Sequence, residues 1–299
     1  MTRRLKRRFQ GDDLASMPRW LLPALILLGA LALAPGMSDA RGRSVRSPSA
    51  RGAGAGHLVW SDEFNGPAGA SPDPSRWTFD VGGGGWGNNE LEYYTARPAN
   101  ASLDGHGHLA IVARRESYSG HGVTRDYTSA RLKTQGLFST TYGRIEASIK
   151  LPVGRGLWPA FWAVGESIET VGWPASGEID MMESLGDGFT LFGSLHGPEG
   201  SNERGYGLTS PHRSAVSLAG GFHVYGVDWS PSAIVFTFDG VPYATRTPAE
   251  LGPGQHWAFD KPFFLILNLA VGGDWPGAPN ASTAFPATML VDWVRVYSD

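Results

Sequence analysis

The run Arg144-Ile145-Glu146-Ala147-Ser148-Ile149-Lys150-Leu151 alternates polar and apolar side chains without a break. Successive side chains of an extended strand point to opposite faces. This period of two therefore describes a strand with Ile145, Ala147, Ile149 and Leu151 in a core and the other four residues in water. The same reading extends outward along the chain. Val224, Gly226 and Asp228 interleave with Tyr225, Val227 and Trp229, and the run Ile234 to Phe238 turns at Asp239-Gly240 into Val241 to Ala244, a hairpin signal. Phe263 to Val271 and Met289 to Tyr297 are further β-rich runs, and no twelve-residue segment shows a 3.6-residue period. Many short strands in about 240 residues predict one all-β sandwich or barrel over residues 57–299, with no internal repeat.

Composition narrows the classes. The 41 glycines and 21 prolines follow no period, which excludes collagen, coiled coils and long helices. With no cysteine, disulfide frameworks, thiol catalysis and cysteine-ligated zinc are excluded together. The formal net charge of −3 conceals a division, because residues 57–299 hold only 15 Lys and Arg against 25 Asp and Glu. So acidic a domain repels phosphate backbones, and nucleic acid is excluded as the expected partner.

The excess of positive charge is N-terminal. Arg3, Arg4, Lys6, Arg7 and Arg8 precede an apolar run from Trp20 to Pro35, and Ser38-Asp39-Ala40 supplies small residues for cleavage. Residues 1–40 are read as an export signal cleaved after Ala40. An uncleaved anchor is the alternative, and the export route stays open. Residues 41–56, RGRSVRSPSARGAGAG, have one bulky aliphatic and read as a flexible linker. The mature protein is expected to be secreted or periplasmic, without a membrane segment after cleavage.

Eleven tryptophans exceed what a core of this size needs, so several are expected to line a groove. Flat aromatic faces stack on the apolar faces of pyranose rings, which points to a carbohydrate partner. Trp60, Trp229 and Trp293 lie in strand runs and are read as core.

The run Gly177-Glu178-Ile179-Asp180-Met181-Met182-Glu183 puts three carboxylates within six residues. On a regular strand Glu178 and Asp180 share a face, whereas Glu183 points the other way. A one-residue bulge at Met181 or Met182 would bring all three onto one face. Like charges so placed push one pKa up, the split that glycoside hydrolysis by an ionised and a protonated carboxyl requires. A calcium site and a solvated strand face are the competing readings. The run lacks the loop glycine and alternating ligands of an EF-hand.

At this point the residues carry a family resemblance. GEIDMMESLG resembles the catalytic strand of glycoside hydrolase family 16, in the bulge-containing form of bacterial laminarinases, which are endo-acting β-1,3-glucanases. Support runs through WSDEFNG at 60–66, WGNNELEYYT at 86–95, YGRIEASIKLP at 142–152, GLWPAFWAVG at 156–165, FHVYGVDWSP at 222–231, LNLAVGGDWPG at 267–277 and VDWVRVY at 291–297. The resemblance implies a concanavalin A-like β-jelly-roll sandwich with an open cleft on its concave sheet. It implies Glu178 as nucleophile, Glu183 as general acid/base and Asp180 as the group that holds and tunes the nucleophile, with no cofactor needed for catalysis.

The resemblance carries further expectations. His196, in GSLHG, would reach the carboxylates if its strand pairs with theirs; a histidine merely satisfied in a sheet is the alternative. Trp158, Trp162 and Trp173 are expected to stack on substrate and Trp275 to stand at the cleft rim. Arg131 matches an arginine that contacts sugar hydroxyls, although Ala130 stands where the family more often has Gly. Asn89, with Asn88 and Glu90, is a candidate for cleft hydrogen bonds, and turn chemistry explains it equally. Many relatives carry a structural calcium, which here would use Glu63, backbone oxygen near Gly107, and Asp292.

The expected substrate is a laminarin-like β-glucan, and the expected enzyme a monomer. A mixed-linkage glucanase, an agarase or a carrageenase is the rival within the fold. The bulge argues against the first, and the scarcity of basic groups against an enzyme for sulfated galactans. A non-catalytic glucan-recognition module is the rival of another class, and the retained glutamates favour the enzyme.

Overall fold

A computed structural model describes residues 56–298. The export segment, 1–40, and the linker up to residue 55 lie outside the described residues. Chain order begins with β1 (His57–Asp62), β2 (Thr78–Asp80), β3 (Glu92–Tyr94), β4 (Ala101–Leu103), β5 (Leu109–Gly120) and β6 (Val123–Ser129). There follow β7 (Arg131–Lys133), β8 (Gly143–Lys150), β9 (Leu157–Gly165), the four-residue helix α1 (Ile168–Val171), β10 (Glu178–Glu183), β11 (Thr190–Glu199) and β12 (Asn202–Arg213). The last strands are β13 (His223–Trp229), β14 (Ile234–Phe238), β15 (Val241–Arg246), β16 (Phe263–Val271) and β17 (Ala287–Ser298).

These strands form two sheets. One runs β15-β14-β13-β8-β17-β5-β6-β3, with β1 added on β17 and β4 on β5; the other runs β12-β11-β10-β9-β16-β7-β2. All pairings are antiparallel except β3 with β6. Strands adjacent in sequence repeatedly cross to the opposite sheet, so β8 lies between β13 and β17 while β9 lies between β10 and β16. The architecture is a β-jelly-roll sandwich with an open cleft on the concave, seven-stranded sheet.

The alternation in β8 is realised. Ile145, Ala147 and Ile149 are fully buried and share one core cluster with Phe161 of β9, Met181 of β10 and Leu265 of β16, so the two sheets close on each other through these side chains. One residue departs from the pattern. Ser148, expected in water, is buried and donates to Asp292 Oδ2 at 3.2 Å. The cause lies on β17, where Val291 pairs with Ile149 and Trp293 with Ser148, leaving Asp292 as an extra, bulged residue. The bulge also takes Trp293 out of the core where it was expected: it is half-buried beneath the Arg295 guanidinium, 4.2 Å from its ring. Every residue of β16 is buried, because the cleft side of this central strand is covered as well. There Val164, Phe264 and Ile266 form a small second cluster with Trp162 and with Ile168 of α1.

An ion pair and a strand ladder join the chain ends. Both carboxylate oxygens of Glu63 accept from Arg295, at 3.0 and 2.7 Å, and β1 pairs along β17. The hydrogen bond from Arg295 holds the Glu63 carboxyl below its usual range. Two of the three expected calcium donors are therefore engaged elsewhere as arranged. Glu63 is already neutralised by a guanidinium, and Asp292 is turned to Ser148. The clamp expected of calcium is made by this ion pair and the β1–β17 ladder.

Gly193 sets how closely the sheets approach next to β10. A Cβ there would lie 2.5 Å from both Phe236 Cδ1 and Tyr243 Oη, which come from β14 and β15 of the opposite sheet. Gly193→Ala is expected to destabilise the fold by about 1–3 kcal/mol through overpacking, read as a lowered urea midpoint. An unchanged midpoint would show that the two sheets can slide apart without cost.

Candidate active site

The acidic run forms β10 between two pairing partners. Glu178 faces Val164 of β9 and His196 of β11, and Asp180 faces Trp162 and Ser194. Beyond Asp180 the register slips. Met182 pairs with Phe161 and Glu183 with Ala160, so β9 advances one residue while β10 advances two, and Met181 is the extra residue. The bulge lies within the pair of positions expected for it. Both methionines are buried in the core, and Glu178, Asp180 and Glu183 all line one cleft of about 350 Å³.

Three acids in one partly dehydrated cleft cannot all hold charge cheaply. Burial first, then the Asp180 charge, pushes Glu178 up to about 8, while His196, Arg131 and the Trp173 indole N–H pull it back. Glu183 is raised well above the usual glutamate value, by burial first and then by both other acids. Its main relief is the Trp158 indole, which donates to Oε1 at 2.9 Å. The cations thus sit nearer Glu178, and Glu178 is the first of the two glutamates to ionise as pH rises. His196 Nε2 lies 3.3 Å from Asp180 Oδ2 and 3.9 Å from Glu178 Oε1. Burial opposes its charge, but Asp180, Glu178 and Glu183 outweigh burial and raise it to about 9. At neutral pH His196 is an imidazolium set into the acid cluster.

The cleft-side tryptophans divide by task. Trp173, exposed, and Trp162 line the cleft, whereas Trp158 lines it chiefly as the hydrogen-bond donor to Glu183. Trp275 is an exposed rim residue standing edge-on to Trp158, with ring centroids 5.7 Å apart. Arg131 is on the cleft floor, paired with Asp80 at 2.9 Å and held between the rings of Trp86 and Trp162 at 5.0 and 4.7 Å. Asn89 departs from expectation. Its side-chain amide lies 3.0 Å from both oxygens of Asp274, tying two loops together, and its neighbour Asn88 lines the cleft instead. Asn89 has φ of +56°, so the tight turn presents Asn88 inward and Asn89 to the neighbouring loop.

Trp86, Glu90 and Asn268 also line the cleft and were not singled out as site residues, Glu90 having been named only alongside Asn89. Trp86 and Glu90 belong to a glycine-rich turn that folds back over the sheet. No period marks such a wall, and the run GGGGWGNNE itself was the signal available. Asn268 sits within the apolar run of β16, where one polar residue on a wholly buried strand marks the cleft side.

Among the described residues, Glu178, Asp180 and His196 could bring one ligand atom each to a metal. Each of those atoms already serves the charge balance of the cluster, and the chemistry of paired carboxyl groups needs no ion.

A jelly roll with two carboxyl groups of separated ionisation in an aromatic cleft is the arrangement of a glycoside hydrolase. Residues 89–295 match Glycosyl hydrolases family 16, and the chain belongs to that family. It is 45% identical over 255 residues to a beta-glucanase of Rhodothermus marinus, covering 80% of this chain and 84% of that one. The laminarinase catalytic domain of Thermotoga maritima superposes with a TM-score of 0.75 at 44% identity, over 82% of this chain and 99% of that one. The endo-beta-1,3-glucanase of Pyrococcus furiosus does so at 0.74 and 46%, over 81% and 94%.

Trp158→Phe keeps the ring and removes the donor to Glu183. Because that N–H favours the carboxylate, its loss raises the Glu183 pKa further, and the alkaline limb of the kcat/KM profile is expected to move upward. A limb that stays in place would detach Glu183 from it.

Proposed function

We propose that this protein is an exported, endo-acting hydrolase of β-1,3-glucan that retains anomeric configuration through a double displacement. The observation that carries the reading is the Met181 bulge, which puts Glu178 and Glu183 in one cleft on either side of Asp180. Relatives described as laminarinases and endo-β-1,3-glucanases supply the substrate class. A cleft lined by the rings of Trp86, Trp158, Trp162 and Trp173 supports binding of a neutral sugar chain.

In this reading Glu183 protonates the departing glycosidic oxygen while ionised Glu178 attacks the anomeric carbon. Glu183, now a carboxylate, takes a proton from the water that releases the glycosyl-enzyme and regains its acid form. Asp180 holds the nucleophile's surroundings negative, and its contact with His196 keeps a cation beside Glu178. Two inversions leave the β configuration. In this reading the N-terminal segment exports the enzyme, which is secreted or periplasmic and acts as a monomer.

Incubation of the mature domain with laminarin is expected to release new reducing ends with oligosaccharide products, while lichenan, agarose and carrageenan give less. No release from any β-glucan would overturn the reading. Glu178→Gln should lower kcat by about 10⁴-fold or more while leaving glucan binding intact. The pH profile tests the charge balance. With Glu178 raised to about 8 from 4.5, the acidic limb should lie well above that of an ordinary glutamate. His196→Asn removes a charge that lowers Glu178, so its acidic limb should move higher still.

A further inference from the structure

A second acid pair stands at the cleft, one member on its lining and the other fully buried. Glu92 opens β3 with no exposed surface, and Glu90, two residues earlier, is buried and lines the cleft. Glu92 Oε2 accepts the Val271 N–H at 2.7 Å. Glu92 Oε1, also buried, receives no donor, and the Glu90 carboxyl is the neighbouring acid.

The donors around Glu90 fix where the proton sits. Glu90 Oε2 accepts from the Tyr94 hydroxyl at 3.0 Å, and Oε1 accepts from Asn88 Nδ2 at 3.2 Å. The Tyr94 oxygen in turn accepts from Asn268 Nδ2 at 3.1 Å, and Asn268 Oδ1 accepts from the Trp162 indole at 2.8 Å. Every bond from Trp162 onward donates toward Glu90, and a chain of one polarity must end on an acceptor. Glu92, which has an oxygen without a donor, is left to carry the hydrogen. Two carboxylates in contact and out of water could not both be charged.

We propose that Glu92 is a positioning residue, a buried carboxylic acid that donates its proton to Glu90 and so holds Asn88, Asn268 and Trp162 in the orientation that binds sugar. The proposal rests on the glucan reading for its substrate alone; the proton itself can be detected without substrate. Charged or titratable groups facing the pair are few. Tyr94 of β3 is a neutral phenol pushed upward by burial and then by the two acids, and Arg131 of β7 is the nearby cation. From β16 come the Asn268 amide and the Val271 N–H, and from β6 comes Tyr127, paired with Glu92 across the parallel ladder. Burial, followed by the charge of Glu90, holds the Glu92 carboxyl well above the usual range. Raising the pH far enough strips this proton, and the two anions then push apart the loop and the strand that carry the cleft wall.

Glu92→Gln is the deciding variant, because its amide can accept from Val271 and donate to Glu90 without a removable proton. Wild type is expected to show a KM for laminarin that rises about tenfold on the alkaline side while kcat follows its own limbs. E92Q should match wild-type KM at neutral pH within about twofold and lose the alkaline rise. Glu92→Leu, which cannot donate, should raise KM about tenfold at neutral pH with kcat changed less than about threefold. Infrared difference spectra of wild type against E92Q should reveal a carboxylic-acid carbonyl band at neutral pH, a readout that needs no turnover. The proposal is overturned if that band is absent, if E92Q raises KM as E92L does, or if wild type and E92Q share one KM–pH profile. Should E92L fail to fold, the comparison of wild type with E92Q decides alone. A band without activity on any β-glucan would instead refute the substrate reading and leave the acid pair standing.

Discussion

The rest of the cleft depends on the mutual repulsion of Glu178, Asp180 and Glu183. Buried like charges of this kind are tolerated only if protons, cations or oriented donors are supplied locally, since water is partly excluded. Three strands of the same sheet each supply one. β11 brings His196 as an imidazolium, β9 brings the Trp158 indole to Glu183, and β7 brings Arg131. Their unequal distribution separates the two glutamates. Glu178 has two cations and an indole N–H against it, and Glu183 has chiefly one indole, so the proton stays with Glu183.

Cross-strand register is therefore chemical as well as structural. If β10 kept both methionines but ran as a regular strand, Glu183 would turn to the core face and Trp158 would donate to nothing. The bulge costs ladder hydrogen bonds at one point and bends the strand. Met181 and Met182 offset that cost by filling the core at the irregular position, for which unbranched, adaptable side chains are well suited.

How far this could be read beforehand follows from which physical rule was local. The strand of β8, the hairpin at Asp239-Gly240 and the phase problem in GEIDMME are properties of single segments, and each is found where the sequence placed it. The failures share a different cause. Ser148 is buried and Trp293 uncovered because of a bulge in β17, a partner strand far away in sequence. Asn89 turned outward, and Asn88 inward, because of a tie to Asp274 on another loop. Glu63 met Arg295 where a calcium was expected. Side-chain partners that are set by tertiary contact leave no mark in periodicity. The role of Trp158 as a donor was hidden for the same reason: its ring was foreseeable in the cleft, but the direction of its N–H depends on where Glu183 emerges.

The cleft's cations also bear on which polymer it can hold. Arg131 is the one basic side chain on the cleft lining, and it is consumed by Asp80 and by the two indoles that flank it; His196 is consumed by Asp180 and Glu178. A sulfated chain would need free positive charge at intervals along the groove, and it would meet the acids of β10 and Glu90. Each sulfate would then be desolvated without a partner, at a cost of several kcal/mol. A neutral glucan meets no such penalty. Its hydroxyls can donate to the same carboxylates, and its ring faces can lie on Trp162 and Trp173. The acidity that argued against nucleic acid thus extends into the cleft lining, where Glu90, Glu178, Asp180 and Glu183 would oppose a polyanion.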